Sequence, residues 1–295
     1  MKGAILHTVV TIGRRADWEM EDVPFKPRKS SPGYEAYFPK YKLLERMEGT
    51  LPNGAGFTAS IKAFRSEHLI IEARTDFDDA GCEGPLSVKD ALNDEAIKIA
   101  KEYSEFRLSE EYTFYLVSEY ESLDIFITRN RMMIAQLLKD DASELTDEEI
   151  DQTLASSLRY DKNDMTVIDW DGALLLDKNN EFEDNITLIE LANIQLLSLR
   201  VLDDRLAVEI GLFKGFEAIR TPNIFRLSGF LKSIINVRAR SLLNLDEIDN
   251  SIKLYGDWYS AKVYSIVAKK LYLARWRDTV EEKLNLLEKM FEMVS

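Results

Sequence analysis

Cysteine and histidine are almost missing from this chain. One Cys and two His in 295 residues leave Cys82 without an intrachain disulfide partner and supply too few ligands for a Cys/His zinc site. Long apolar runs are missing as well. The longest uncharged stretch, Gly49 to Ile61, holds Pro52 and three glycines, far short of the roughly 20 apolar residues of a membrane-spanning helix. No cleavable leader is expected either. Ala4 to Ile12 is short, contains His7, Thr8 and Thr11, and lacks a small-residue cleavage pattern. It reads instead as a β-branched first strand. A lone Cys and no secretion signal predict a soluble chain in a reducing, cytoplasmic setting. Basic residues are the minority, 38 against 52 acidic ones for a net charge of −14, a poor overall balance for coating nucleic acid.

Apolar residues make up 45% of the chain, enough for one large core or two ordinary ones. Five of the seven prolines precede residue 53, so Asp17 to Gly56 reads as irregular chain between strands. Phe57, Ala59, Ile61 and Ala63 alternate with polar residues, as do Leu69, Ile71 and Ala73, which predicts a hairpin with one buried face. Ser87 with Asp90 and Thr146 with Glu149 have capping-box spacing, each before a helical repeat of apolar residues. Tyr112 to Ser118 reads as an aromatic strand, and Met165 to Leu176 as another, bent at Gly172.

The pattern changes after Ile186. Ile186 to about Phe213 is apolar almost all round, as in a central buried helix. Thr221-Pro222 has the form of a helix start, and Asp246 opens a last helix with a stripe of Ile248, Ile252, Tyr255, Tyr259, Val263 and Ile266. Leu273, Trp276, Val280, Leu284, Leu287, Phe291 and Val294 then step by three and four, a heptad seam. Unbroken from Glu247 to Met293, this helix would measure about 70 Å, against a body about 50 Å across. Unless Gly256 breaks it, its end projects and pairs with another chain. The fold class expected is α+β, with a mixed α/β head over 1–185 and a helical region over 186–295.

Charge is uneven. Lys139 to Asp184 holds fifteen acids and four bases; Lys214 to Arg240 holds six bases and one acid. Trp258 to Arg277 carries Lys262, Lys269, Lys270, Arg275 and Arg277 with no acid. Such runs are ordinarily solvated helix faces. Interleaved with Trp258, Tyr259, Tyr264, Tyr272 and Trp276, this set also suits an anionic membrane surface or, as a further alternative, RNA.

The string Val167-Ile168-Asp169-Trp170-Asp171-Gly172 resembles the first motif of haloacid-dehalogenase-type phosphatases. There one carboxylate attacks phosphorus beside Mg²⁺ and the other serves as acid and base. Ala173 departs from that motif, and the downstream helices do not alternate with strands as that fold requires. Asp161-x-Asn163 and Asp177-x-Asn179 open like calcium loops, but Thr166 and Phe182 stand where Gly is needed. His7 and His68 read as strand residues, packed or exposed, and the acidic neighbours of Cys82 disfavour a thiolate. Asn193, Arg200 and Asp204 fall near one face of the apolar helix, as a polar clamp or, less commonly, a pocket. No cofactor or metal site is expected.

Several strings together resemble one family. They are Leu158-Arg159-Tyr160 with Asp164; Ile168-Asp169-Trp170 with Ala173 and Asp177; Glu190-Leu191-Ala192-Asn193-Ile194-Gln195-Leu196-Leu197 with Leu199-Arg200 and Asp203; and Leu254 to Asp257 with Ala261, Val263-Tyr264, Trp276 and Lys283-Leu284. The set is similar to uncharacterised prokaryotic proteins distantly like the required-for-meiotic-nuclear-division family, over about residues 110 to 290. The resemblance implies an α/β head, long C-terminal helices and an apolar anchor beyond Met293-Val294-Ser295. It supplies no catalytic residues. The expectation is a non-enzymatic scaffold, homo-oligomeric through its C-terminal helix, at the cytoplasmic face of a membrane.

Overall fold

The computed structural model describes residues 2–13, 41–64, 67–78, 81–217 and 258–294, with Lys232 and Ile235. In chain order the elements are β1 (Lys2–Gly13), β2 (Tyr41–Thr50), β3 (Gly56–Phe64), β4 (His68–Asp78), α1 (Glu83–Tyr103), β5 (Ser104–Val117), α2 (Leu123–Lys139) and α3 (Asp147–Ala155). Then come β6 (Ser157–Leu158), β7 (Asp164–Ile168), β8 (Gly172–Asp177), α4 (Glu183–Glu217), α5 (Trp258–Lys270) and α6 (Leu273–Val294). The fold is α+β, as expected.

The strands form one mixed sheet in the order β2-β3-β4-β1-β5-β8-β7-β6. β1 is central because it is apolar on both faces: Ile5, Val9 and Val10 are fully buried, as in a strand covered on both sides. It runs antiparallel to β4 and β5, which sets His7 opposite Ala73 on one side and Thr113 on the other. β5 and β8 are parallel, and α2, α3, β6 and β7 form the crossover that a parallel pair requires. On one face Ile5, Val9, Ile61, Ile71 and Tyr115 join a core with Leu92 and Ala96 of α1 and Ile134 and Leu138 of α2. The start of α4 reaches the other face, where Asn185 Nδ2 donates to Thr166 Oγ1 at 2.9 Å.

Several expectations hold. The hairpin is β3–β4, with Ile61 opposite Ile71, and the Thr146 hydroxyl accepts from Glu149 N at 3.3 Å to start α3. Others are corrected. Within 17–56 the interval between Pro39 and Pro52 has no proline, and Tyr41–Thr50 pairs with β3 as an edge strand. Its Lys42, Glu45, Arg46 and Glu48 suit an exposed edge. The stretch 14–40 lies outside the described residues. α1 begins at Glu83, with Pro85 in its first turn, and so Ser87 lies inside it. Met165 to Leu176 is two strands: β7 and β8 pair antiparallel around a turn in which Asp169 N donates to Gly172 O at 2.8 Å. A Cβ on Gly172 would stand 3.1 Å from Thr113 O, the close approach that keeps glycine there.

The largest correction concerns the C-terminal rod. Among the described residues the helix breaks after Lys270 and resumes at Leu273, with Tyr272 in the left-handed region at φ 52°. α6 is 22 residues long, about 33 Å at 1.5 Å per residue. Four of its seam residues, Leu273, Val280, Leu284 and Leu287, are buried, and Trp276 is half-buried; the side chains of Phe291 and Val294 lie outside those described. Lys283 Nζ contacts the Asp203 carboxylate of α4 at 2.6 Å. The described part of the seam is therefore mostly packed within the subunit. The expected start at Asp246, the stripe residues Ile248, Ile252 and Tyr255, the possible break at Gly256, and the Thr221-Pro222 helix start lie outside the described residues.

Two compact units emerge, Met1–Ile194 with Tyr255–Leu271, and Gln195–Leu254 with Tyr272–Ser295. The first takes in the start of α4 and all of α5. Among the described residues one helix, Glu183–Leu212, is long and apolar enough to cross a membrane, and 78% of that window is buried inside the protein, as in a core helix.

Candidate functional site

A polar recess lies over the middle of the sheet. It has a volume of about 250 Å³ and is lined by His7, Lys89, Asn93, Glu111, Thr113, Leu137, Asp140 and Asp171. The sheet register brings His7 of β1 beside Thr113 of β5. α1 contributes Lys89 and Asn93. α2 ends in Asp140, held in the left-handed conformation at φ 53° with its backbone N–H donating to Gln136 O. The β7–β8 turn supplies Asp171, whose carbonyl accepts from Thr113 N at 3.0 Å.

The recess has a hydrogen-bonded floor. Asn93 Nδ2 donates to Glu111 Oε2 at 3.1 Å, so its Oδ1, 3.1 Å from His7 Nε2, is the acceptor there. That places the imidazole proton on Nε2 and leaves Nδ1 to accept from the Thr113 hydroxyl at 3.0 Å. Burial lowers the His7 pKa from 6.5 to about 4, against the hydrogen bond it donates to Asn93, so the ring is neutral at pH 7. Lys89 Nζ lies 2.6 Å from Asp140 and 2.9 Å from Asp90. Burial works against its charge, but the bonds to Asp140 and Asp90 raise its pKa. The Asp171 pKa is raised by burial and then by the nearby Asp140 and Asp169 carboxylates.

Asp169 and Asp171 are only two residues apart yet serve different neighbourhoods. The Asp169 carboxylate is buried between two lysines, Lys139 at 3.1 Å and Lys270 at 2.9 Å. It also accepts from Trp170 N at 2.9 Å, and its backbone carbonyl accepts from Tyr112 OH at 3.0 Å. This is a clamp joining α2, the β7–β8 turn and α5. The antiparallel hairpin departs from the strand-to-helix setting of the phosphatase motif. Among the described residues no three His, Cys, Asp or Glu side chains converge as a metal site.

A third cluster escaped sequence reasoning. Lys62 of β3, Glu72 of β4 and Glu190 of α4 meet on the α4 side of the sheet. Lys62 is paired with Glu72, and Ser60 Oγ donates to Glu72 Oε2 at 2.5 Å. Burial raises the Glu190 pKa well above the usual carboxylate range, and a hydrogen bond links it to Glu72. Burial opposes the charge of Glu72, but Lys62 holds its pKa below the ordinary value. The set therefore keeps one ammonium, one carboxylate and one neutral acid. An acid inside an apolar helix was the only signal for it.

The other predicted residues are dispersed. The Asn193 amide is buried and donates to Ile189 O of its own helix at 3.0 Å. Arg200 is half-buried and Asp204 exposed, and the neighbouring Asp203 takes the ion pair with Lys283. Lys262, Lys269 and Arg275 are exposed and Arg277 half-buried, whereas Lys270 is committed to Asp169. Lys262 Nζ lies 4.4 Å from the centroid of the Trp258 ring. The basic residues within Lys214 to Arg240, apart from Lys232, fall outside the described side chains. The calcium-loop look-alikes are turns in which Asp161 and Asp177 accept from Asn163 N and Asn179 N at 2.5 and 2.6 Å.

Residues 58–183, from β3 to the start of α4, match the family model described as the N-terminal domain of the uncharacterised protein MJ0711. The chain is also 32% identical over 260 residues to the uncharacterised protein MJ0711 of Methanocaldococcus jannaschii, covering 88% of this chain and 79% of that protein. The chain belongs to the MJ0711 family. No solved structure matches it. The family model spans seven of the eight lining residues of the recess, all but His7, together with the whole Asp169 hairpin. In this member of the MJ0711 family the basic stretch Trp258 to Arg277, on α5 and the start of α6, lies after the segment that the model covers.

Proposed function

We propose that this member of the MJ0711 family is a non-enzymatic interaction protein that associates with copies of itself near the cytoplasmic face of a membrane. The observation that carries this reading is an apolar pair on α4. Val208 and Leu212, one helical turn apart, are 62% and 53% exposed, although most of the helix before them is buried. Leu273, Val280, Leu284 and Leu287 of the α6 seam are buried, and the exposed pair on α4 offers an apolar surface for self-association. Commitment of the Asp169 carboxylate to two lysines supports a binding role over phosphoryl transfer, because a nucleophile needs its lone pairs free.

The membrane part rests on α5. Trp258 is 52% exposed beneath the Lys262 ammonium, the pairing of aromatic body and cation favoured at a lipid interface. The resemblance to the required-for-meiotic-nuclear-division family points the same way. The RNA alternative uses the same exposed bases, with Lys270 removed from the set. Sedimentation velocity over a wide concentration range tests self-association: wild type forms dimers or larger species, and Val208→Ser with Leu212→Ser shifts it to monomer. A strict monomer overturns the proposal. Flotation with anionic and neutral vesicles, with Trp258→Ala and Lys262→Ala as variants, tests the membrane part; RNA binding without vesicle binding would replace it.

A further inference from the structure

We infer that the recess over His7 binds a small organic cation carrying a primary ammonium group. The size is limiting: about 250 Å³ equals roughly eight water volumes at ~30 Å³ each, room for a ligand of about ten non-hydrogen atoms or fewer. The floor presents hydrogen-bond acceptors. The Thr113 hydroxyl spends its proton on His7 Nδ1, so its remaining lone pair is available to a donor. His7 spends its own proton on Asn93 and is neutral, so it does not repel a cation.

The charges of the lining do not balance. Glu111, Asp140 and Asp171 face a single ammonium, Lys89, and Lys89 is already shared between Asp140 and Asp90. Lys270 is paired with Asp169, and Lys139 is shared between Asp169 and Glu149, so neither lysine is left for Asp171. Among the described residues no ion pair joins Asp171 or Glu111 to a cation; the Asp171 pKa is raised chiefly by burial, and the Asp140 and Asp169 carboxylates add to the shift. A bare metal ion is the wrong occupant. It needs oxygens converging at about 2.0–2.6 Å, and no such group of three occurs among the described residues. An alkylammonium instead spans the gap with three directed donors, reaching Thr113 at the floor and Asp171 or Glu111 at the rim.

The test is calorimetric titration of the full chain with butylamine, putrescine and uncharged n-butanol, alongside the ring proton signals of the two histidines. Saturable binding of the amines is expected to move the His7 resonance. Asp171→Asn or Glu111→Gln weakens it roughly tenfold, the loss of one charge-assisted hydrogen bond. Both positions are exposed, so neither change threatens the fold. Asp147→Asn, an exposed carboxylate of α3 outside the recess, leaves affinity unchanged. Equal binding of butanol, undiminished binding by Asp171→Asn, heat without a His7 shift (cations condensing on an acidic surface), or no binding of any amine each overturns the inference.

Discussion

His7 makes the stability of this protein acid-sensitive by an amount that the structure allows to be worked out. Its ordinary pKa of 6.5 falls to about 4 in the folded protein, chiefly because burial disfavours the imidazolium. The unfolded chain therefore takes up a proton near pH 6.5 that the folded one refuses until about pH 4. The associated stability is fully present above 6.5 and is lost as pH falls toward 4, at about 1.4 kcal/mol per unit or roughly 3 kcal/mol in all. His7→Gln isolates the effect, since its carbonyl can accept from Thr113 and its amide can donate to Asn93 without titrating. Urea unfolding of both proteins at intervals from pH 7 to pH 4 should show the wild-type advantage shrinking by roughly 3 kcal/mol. With two histidines in the chain, one substitution also assigns the His7 ring signals, which should stay in the neutral position at pH 6. Parallel stability profiles, or a His7 that titrates near 6.5 in the native protein, would refute the reasoning.

Glu190 should act in the opposite sense. Its raised pKa makes the native state hold a proton that the unfolded chain releases near 4.5, so stability declines as pH rises from there, by about 1.4 kcal/mol per unit. Glu190→Gln keeps a donor toward Glu72 and should flatten that slope between pH 5 and pH 7 in urea titrations. Asp169→Asn leaves Lys139 and Lys270 without their shared carboxylate; both are partly exposed, so the expected cost is about 2 kcal/mol, measured as a shift of the unfolding midpoint. Gly3→Ala should be severe, because a Cβ there would lie 2.3 Å from Leu116 O in the neighbouring strand; a midpoint unchanged by this substitution would contradict the β1–β5 register.

Legibility from sequence followed the range of the forces involved. The β3–β4 hairpin and the Thr146 cap depend on neighbours a few residues away, and both were readable. β7 and β8 were fused into one strand because both are buried along their full length, so no polar alternation marks where the chain turns. The α5–α6 break has no local signature, since Tyr272 in a left-handed conformation carries none of the usual Gly or Asn signal. The recess was hidden for a different reason. Its residues run from His7 to Asp171, and only the pairing of β1 with β5 brings the first of them to Thr113.

The head unit is discontinuous along the chain, and that imposes an order on its synthesis. Residues up to Ile194 leave the ribosome first, but Lys270, the second partner of Asp169, belongs to the returning segment Tyr255–Leu271. About sixty residues of the other unit must be translated between them, which takes roughly 3–12 s at about 5–20 residues per second. Throughout that interval the Asp169 carboxylate of the nascent head has Lys139 but not yet its second partner, Lys270. All eight strands of the sheet are complete by Asp177, so they can pair before the helix that carries Lys270 has been translated.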